Sequence, residues 1–351
     1  MIADDLTGAC DAAVAFAQRG FRSGVLPEFA RTAPRGFELT VLPTFSRDDP
    51  AAEARRKVEA ACAFLAASGI RLIYKKIDST LKGNLAAEID AILACGGFSS
   101  ALVTPAFPAM GRTVVDGVLH VDNRATSLHV PSLLAGVQRA QSKDAGSERD
   151  LRDLAAGAIV DNGNTVCVGS GGLAAQLAAL LAEHFGRTAT EHIPPGNRGP
   201  ALFVMGSEQP ATRAQVDYLL RHRPARGFGL PDLDPVKAAT AFREGCHLVV
   251  VADPAKSNST DAGRLLAVAH EHLARGLVVS GGDTAEWICR AATVAVIELK
   301  GEVLRGIPWG EAASSTGQRW CMVTKAGGFG AQDALALVAD FLMGENNRRA
   351  S

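Results

Sequence analysis

Short apolar runs alternate with amphipathic stretches along most of this chain. Runs suited to strands occur at Leu39–Leu42, Leu72–Tyr74, Ala101–Val103, Val166–Val168, Leu202–Met205, Leu248–Val251, Leu277–Val279, Val294–Leu299 and Cys321–Val323. Between them, Ala51–Ala67 places Val58, Cys62 and Leu65 at helical spacing, with Arg55, Arg56 and Glu59 outside. Ser259–Arg275 opens on Ser259, Thr260 and Asp261, good first-turn residues, and then repeats Leu265, Leu266, Ala269 and Leu273. Further helices are predicted over Leu85–Leu93, over Ala285–Ala292 and at the C-terminal end. This alternation predicts an α/β fold: two α/β domains with mostly parallel sheets and a cleft between them. The segment Ile193–Pro200 holds two proline-glycine clusters, which continue neither helix nor strand, so it predicts a linker. It divides the chain into an N-terminal domain, residues 1–195, and a C-terminal domain, residues 196–351. Residues 142–153 are charged and contain Gly and Ser, which predicts an exposed excursion inside the first half. No internal sequence repeat and no low-complexity tract is visible.

Composition agrees with two packed domains. The chain has 351 residues, long for one core, and 47% of them are apolar. A formal net charge of −1 with interspersed acids and bases leaves no nucleic-acid footprint. No apolar run approaches bilayer length, and Asp4 and Asp5 stand where a signal peptide needs basic residues. The expectation is a cytoplasmic protein with neither nucleic-acid nor membrane partners. The seven cysteines are scattered singly, with no Cys-x-x-Cys. They read as small buried hydrophobes in a reducing compartment, not as disulfides or a zinc site, and no metal ligands are assigned.

Candidate chemistry gathers where predicted strands end. Lys75 to Asn84 holds three cations, one carboxylate, two hydroxyls, one amide and one glycine between an apolar run and a helical pattern. Open α/β sheets bind ligands at the end of a strand just before a helix. Lys76 and Lys82 suit a carboxylate or phosphate, while Asp78, Ser79, Thr80 and Asn84 suit hydroxyls, so the run fits a small polyhydroxylated anion. Helix capping by Asp or Ser would account for one or two of these residues but not for all. Asp4 and Asp5, followed by Thr7 and Gly8, form a second strand–loop–helix corner. One of them could accept a proton from a substrate hydroxyl, or both could simply decorate a helix N-terminus. Thr44 to Asp48 gives a third cluster with Ser46 and Arg47. Pro105 to Thr113 gives a fourth, which places Arg112 on a rigid Pro/Gly loop. Four such loops fit one shared cleft.

The second half carries glycine loops instead. Ser280-Gly281-Gly282-Asp283-Thr284 follows one strand and precedes a helix; Lys325 to Gly330, with Gly327 and Gly328, repeats the arrangement, as does Gly206-Ser207. Glycine lets backbone approach a phosphate closely, and a helix N-terminus offers free N–H groups. Three such loops on one domain point to nucleotide phosphates, although no Walker A pattern is present. Gly169 to Ala174 matches the dinucleotide fingerprint, with Glu191 about twenty residues on. The linker begins there, so no second strand ends on that acid, and tight helix–strand packing is the preferred reading of these glycines.

Asp-Asp-Leu-Thr-Gly-Ala at the start, Lys-Ile-Asp-Ser-Thr-Leu-Lys-Gly-Asn, Pro-Ala-Phe-Pro with Gly-Arg-Thr, Gly-Gly-Asp-Thr and Lys-Ala-Gly-Gly-Phe-Gly occur in one order. Together, and over nearly the whole chain, they resemble the four-carbon acid sugar kinase family. The resemblance implies ATP-dependent phosphorylation of a threonate, erythronate or oxo-tetronate, with an N-terminal substrate domain and a C-terminal nucleotide domain. It implies that Asp4, Asp5, Ser46, Arg47 and Lys76 to Asn84 face the acid sugar, and that Ser207, Gly281 to Thr284, Gly327 and Gly328 face ATP. ATP and Mg²⁺ are the cofactors so implied. Asp4 or Asp78 would orient or deprotonate the accepting hydroxyl, and Lys76 or Lys82 would offset negative charge. Two departures stand out. The family usually has Arg where Lys82 stands, and an apolar strand usually precedes the Asp-Asp motif. Here Met1-Ile2-Ala3 leaves that strand short, so either the reading frame starts late or Asp4 is weakly held. A non-catalytic acid-sugar or nucleotide binder and an NAD-dependent dehydrogenase are the rival readings. The choice of tetronate, the base and the oligomeric state, a homo-oligomer included, stay open at this level.

Overall fold

In a computed structural model, residues 1–28, 36–161, 163–189, 199–230, 233–271 and 274–344 are described. They form two compact α/β units, Met1–Thr190 and Glu191–Ser351. Most of the predicted linker lies outside the described residues.

The first unit runs β1 (Ile2–Ala3), α1 (Leu6–Ala17), β2 (Ser23–Val25), β3 (Leu39–Pro43), α2 (Ala51–Ala67), β4 (Tyr74–Lys76), α3 (Leu85–Cys95) and β5 (Ser100–Thr104). It continues with β6 (Arg112–Val115), β7 (Val118–Val121), β8 (Arg124–His129), α4 (Val130–Leu133), β9 (Ala140–Ser142), α5 (Glu148–Val160), β10 (Thr165–Gly169) and α6 (Gly171–His184). Its strand order is β2-β3-β1-β4-β10-β5-β9, with parallel pairs throughout, and β6-β7-β8 make a separate antiparallel sheet. The second unit runs β11 (Ala201–Met205), α7 (Pro210–His222), β12 (Ala225–Gly229), α8 (Pro235–Arg243), β13 (His247–Val251), α9 (Ser259–Glu271), β14 (Gly276–Ser280) and α10 (Gly282–Ala291). It ends with β15 (Val294–Leu304), β16 (Ile307–Ser314), β17 (Arg319–Lys325) and α11 (Ala334–Met343). Its order is β12-β13-β11-β14-β17-β16-β15, parallel except for β15-β16 and β16-β17.

The two units share one arrangement. The first strand lies inside, the next two stack outward on one side, and the fourth lands on the other: β2-β3-β1-β4 and β12-β13-β11-β14. Connections therefore leave β1 and β4 in opposite directions, and likewise β11 and β14. Such a reversal opens a crevice at the carboxyl ends of the two strands, which is where open α/β sheets bind ligands.

Local sequence accounts for these elements. β11 is buried along its whole length because helices cover both faces of a parallel strand. Phe203, Trp309, Leu335, Val338 and Leu342 anchor the second unit's core. α5 begins with a full capping box between Ser147 and Asp150.

Several expectations need correcting. Residues 142–153 are no excursion: Ser142 ends β9 and Glu148 opens α5, whose leucine and alanine face is buried behind its charges. The strand predicted at Leu72–Tyr74 lies at Tyr74–Lys76, with Leu72 60% exposed, so Lys75 and Lys76 belong to the strand and not to the loop. Cys95 is exposed, unlike the other cysteines. β1 has two residues, yet it pairs on both sides, with β3 and β4.

Candidate active site

In the first unit, three adjacent parallel strands, β3, β1 and β4, deliver three polar loops to one end of the sheet. Asp4 and Asp5 follow β1. Asp5 is the N-cap of α1, where Oδ1 accepts from Gly8 N at 2.8 Å and Oδ2 accepts from the Thr7 hydroxyl at 2.8 Å. Arg47, from the loop after β3, reaches both carboxylates. Its Nε and Nη2 donate to Asp4 at 2.9 and 3.1 Å, and its Nη1 donates to Asp5 at 2.9 Å. Asp78 Oδ1 stands 3.9 Å from the same guanidinium. Burial pushes the Asp4 carboxyl up, but Arg47, Lys75 and Lys76 outweigh it and hold it below the ordinary carboxylate range. Burial lowers Arg47, yet Asp5 and Asp4 raise it further, so it stays charged. Asp4 is thus held firmly by a fork of two hydrogen bonds despite the short strand before it.

A second layer lies beneath. Lys75 is fully buried and pairs with Glu88 of α3 at 2.7 Å. The Ser46 hydroxyl donates to the other Glu88 oxygen at 2.5 Å and lies 2.7 Å from the Thr44 hydroxyl, which is also within hydrogen-bond distance of Ala3 O. Ser46 therefore faces the interior and anchors its loop. Asn84 behaves similarly: its amide nitrogen donates to the carbonyls of Ser46 and Asp49, both at 2.9 Å.

The loop after β4 is self-braced. Asp78 Oδ2 accepts from Thr80 N at 3.0 Å, from the Thr80 hydroxyl and from Lys82 N at 3.3 Å. Leu81 (φ 62°) and, in the neighbouring loop, Phe45 (φ 49°) hold left-handed backbone, which costs about 1–3 kcal/mol per residue and concentrates at functional sites. Gly83 brings this loop against Asp4, since a Cβ there would lie 3.4 Å from Asp4 Oδ2. Lys76 is buried and its ammonium donates to one backbone carbonyl, Ile77 O, at 3.0 Å. Gly8 makes room for it: a Cβ at Gly8 would stand 2.8 Å from Lys76 Nζ and 2.4 Å from Asp5 Oδ1. Lys82 is exposed, and among the described residues its ammonium has no partner. Ser79 is buried in the same turn. Arg112 lies on β6 of the separate sheet, where its guanidinium donates to Met110 O.

In the second unit the glycine loops follow β11, β14 and β17, which are neighbours in the sheet. Gly206 N bonds Ser280 O at 3.2 Å and Gly281 N bonds Lys325 O at 3.1 Å. A Cβ on Gly327 would fall 2.0 Å from Ser207 Oγ and 2.8 Å from Gln209 Cγ, so the missing side chain is what lets these two loops meet this closely. A Cβ on Gly281 would stand 3.2 Å from Thr284 Oγ1 and 3.4 Å from Ser207 N. Ser207, Gly281, Thr284 and Gly327 therefore converge. Gly282 and Asp283 open α10, with Asp283 exposed in its first turn, and Gly328 is exposed beside Gly327. The fingerprint-like glycines of the first unit face protein instead. A Cβ on Gly172 would lie 2.7 Å from Ala106 O, and Ser170 Oγ donates to that same carbonyl.

Sequence reasoning missed Glu88 and Gln215; Lys325 and Thr212 stood within its glycine-loop segments but were given no role. A signal existed for Glu88, which shares the apolar face of α3 with Leu85 and Ile92 and therefore needs a buried partner.

A model of a sugar-binding N-terminal domain matches residues 1–133, and one of a nucleotide-binding C-terminal domain matches residues 253–335. A D-threonate kinase of Bordetella bronchiseptica is 34% identical, over 97% of this chain and 96% of that protein. A D-erythronate kinase of Heliobacterium modesticaldum is 28% identical, over 98% and 96%. A solved Haemophilus influenzae protein superposes with a TM-score of 0.73 at 18% identity, covering 97% of this chain and 99% of its own, which supports the fold.

Proposed function

We propose that this chain, which belongs to the four-carbon acid sugar kinase family, uses ATP to phosphorylate a hydroxyl of a threonate, erythronate or 3-oxo-tetronate. The observation that carries the reading is chemical division between two like folds. At the strand-order reversal of the first unit stand charged and hydroxylic side chains, and at that of the second stand glycines and helix N-termini.

In the first unit, Lys76 keeps donor capacity beyond its one backbone acceptor, and Lys82 is exposed. These two cations would take the substrate carboxylate or the charge that develops on the transferred phosphoryl group. Arg47 would hold Asp4 and Asp5 in place, so that an Asp4 oxygen could accept a hydrogen bond from the reacting hydroxyl. Ser79 and Thr80 would read further hydroxyls. In the second unit, Ser207, Gly281 to Thr284, Gly327 and Gly328 would cradle the nucleotide phosphates. Among the described residues no group of three His, Cys, Asp or Glu side chains is poised for a metal. Mg²⁺ would be held mainly by phosphate oxygens and water and would supply charge neutralisation when bound.

The test is ADP release from ATP with Mg²⁺ and a panel of four-carbon sugar acids, with phosphorylated product confirmed by mass. Product with at least one tetronate or oxo-tetronate is expected. ATP turnover that no acid in the panel stimulates would overturn the proposal.

A further inference from the structure

The loop that joins β17 to α11 turns its carbonyls inward. Lys325, buried at the end of β17, donates from Nζ to Ala326 O and Gly327 O, both at 3.0 Å, to Phe329 O at 3.3 Å and to the Thr212 hydroxyl at 3.1 Å. Thr212 in turn donates to Gly327 O at 2.8 Å. Gln215, one helical turn further along α7, places its amide nitrogen within 3.0 Å of Phe329 O, Gly330 O and Ala331 O. Of the six carbonyls from Ala326 to Ala331, all but that of Gly328 are thereby gathered on the Lys325 and Gln215 side chains. A peptide group whose carbonyl points in presents its N–H on the opposite side. Among the described residues the N–H groups of Gly327 and Gly328 donate to no protein acceptor, and these two residues are at least partly exposed. A backbone concavity of outward N–H groups binds anions.

We propose that Lys325 is a positioning residue and internal counter-charge for the phosphate loop: its ammonium fixes the carbonyls inward, places positive charge behind the outward N–H groups, and is the form to which nucleotide binds. The inference rests on the second unit's reading as the nucleotide site. Among the described residues no carboxylate faces the ammonium. From α7 it meets the Thr212 hydroxyl, and from its own loop it meets carbonyls. Burial alone accordingly lowers its pKa, to about 8. A phosphate on the far side of the loop favours the charged form, so nucleotide binding and protonation of Lys325 help each other.

Calorimetric titration of the full chain with ATP and Mg²⁺, at about pH 9 in two buffers of different ionisation enthalpy, tests this. ATP itself takes up no proton there. Uptake approaching one proton per nucleotide is expected, with affinity about tenfold weaker than at about pH 7. Lys325→Met should abolish the uptake and flatten that pH dependence. Gln215→Met, which loosens the same loop without touching the charge, should weaken binding yet keep the uptake, which separates a charge role from simple bracing. If Lys325→Met does not fold, the wild-type and Gln215→Met titrations still decide. Wild-type binding without proton uptake, or uptake that survives in Lys325→Met, would overturn the inference and leave the nucleotide site standing. No nucleotide binding by wild type would overturn both.

Discussion

Glu88→Gln should destabilise the first unit strongly, and the damage should be separable from loss of activity. Glu88 is 2% exposed and Lys75 is 0% exposed, with 2.7 Å between their charged atoms. Glutamine keeps the shape but leaves the buried Lys75 ammonium without its contacting counter-charge, with the backbone oxygen of Lys76 as a neutral partner and the Asp4 carboxylate at longer range. Breaking one side of a buried pair typically costs about 3–5 kcal/mol, against a total of about 5–15 kcal/mol for an ordinary domain. Replacing both partners, as in Lys75→Met with Glu88→Leu, removes the orphaned charge and should bring stability back to within about 1–2 kcal/mol of wild type. Activity should stay low in the double variant, because the Ser46 hydroxyl has lost the carboxylate that anchors the Arg47 loop. Urea unfolding followed by circular dichroism measures the first effect. Tryptophan fluorescence would not, since Trp287, Trp309 and Trp320 all lie in the second unit. Steady-state kinetics measures the second. A loss below about 1 kcal/mol in Glu88→Gln, or full recovery of turnover in the double variant, would refute the reasoning.

Gly327→Ala should raise the KM for ATP at least about tenfold while leaving acid-sugar binding alone, because its Cβ would stand 2.0 Å from Ser207 Oγ and 2.8 Å from Gln209 Cγ and so disturb the meeting of the two glycine loops; unchanged KM for ATP would remove Gly327 from the proposed site. Asp78→Asn should keep turnover within about tenfold, since an amide oxygen can still accept from Thr80 N and Lys82 N; a fall of about 10²–10⁴ would instead mark Asp78 as the base. His247 accepts a backbone hydrogen bond from Ala201 N and burial holds its pKa down to about 4, below 6.5 in the unfolded chain. The unfolded state therefore binds the extra proton, and stability present above pH 6.5 should be lost by up to about 3 kcal/mol as pH falls towards 4. His247→Asn should flatten that part of the urea-midpoint profile.

The alternation of apolar runs and amphipathic stretches carries most of the architecture, because parallel strands covered on both faces need near-continuous apolar sequence, as at Leu202–Met205 and Leu248–Val250. Elements without that signature stayed hidden. β12 is Ala-Arg-Gly-Phe-Gly and lies at the sheet edge, and β8 has no buried residue, so neither shows a buried face in sequence. β4 was displaced because Lys75 and Lys76 look like loop residues. Their burial depends on Glu88 and on backbone carbonyls, partners that periodicity cannot reveal. That polar loops follow β1, β3 and β4, and glycine loops follow β11, β14 and β17, was legible by residue type and position. Which side chains turn inward was not, since Ser46 and Asn84 read as substrate donors until their partners across 38 to 42 residues are known.

That inward turn narrows which groups recognise the acid. A carboxylate substrate needs a cation with donor capacity to spare. Arg47 has committed its fork to Asp4 and Asp5, and Lys75 is neutralised by Glu88. Lys76 and Lys82 are left at this end of the sheet, one buried beside Asp5 and one exposed on a loop that Asp78 braces from its own backbone. A buried cation fixed by one carbonyl is a rigid point charge, whereas an exposed lysine is a mobile one that forms no two-point fork. Lys82→Arg should therefore tighten acid-sugar binding by providing the bidentate geometry a carboxylate accepts, and Lys82→Ala should raise the KM for the acid with turnover largely kept. Lys76→Met should lose both, since nothing else in the cluster can replace a buried charge. Equal KM values for the acid across Lys82, Lys82→Arg and Lys82→Ala would show that Lys76 alone carries the recognition.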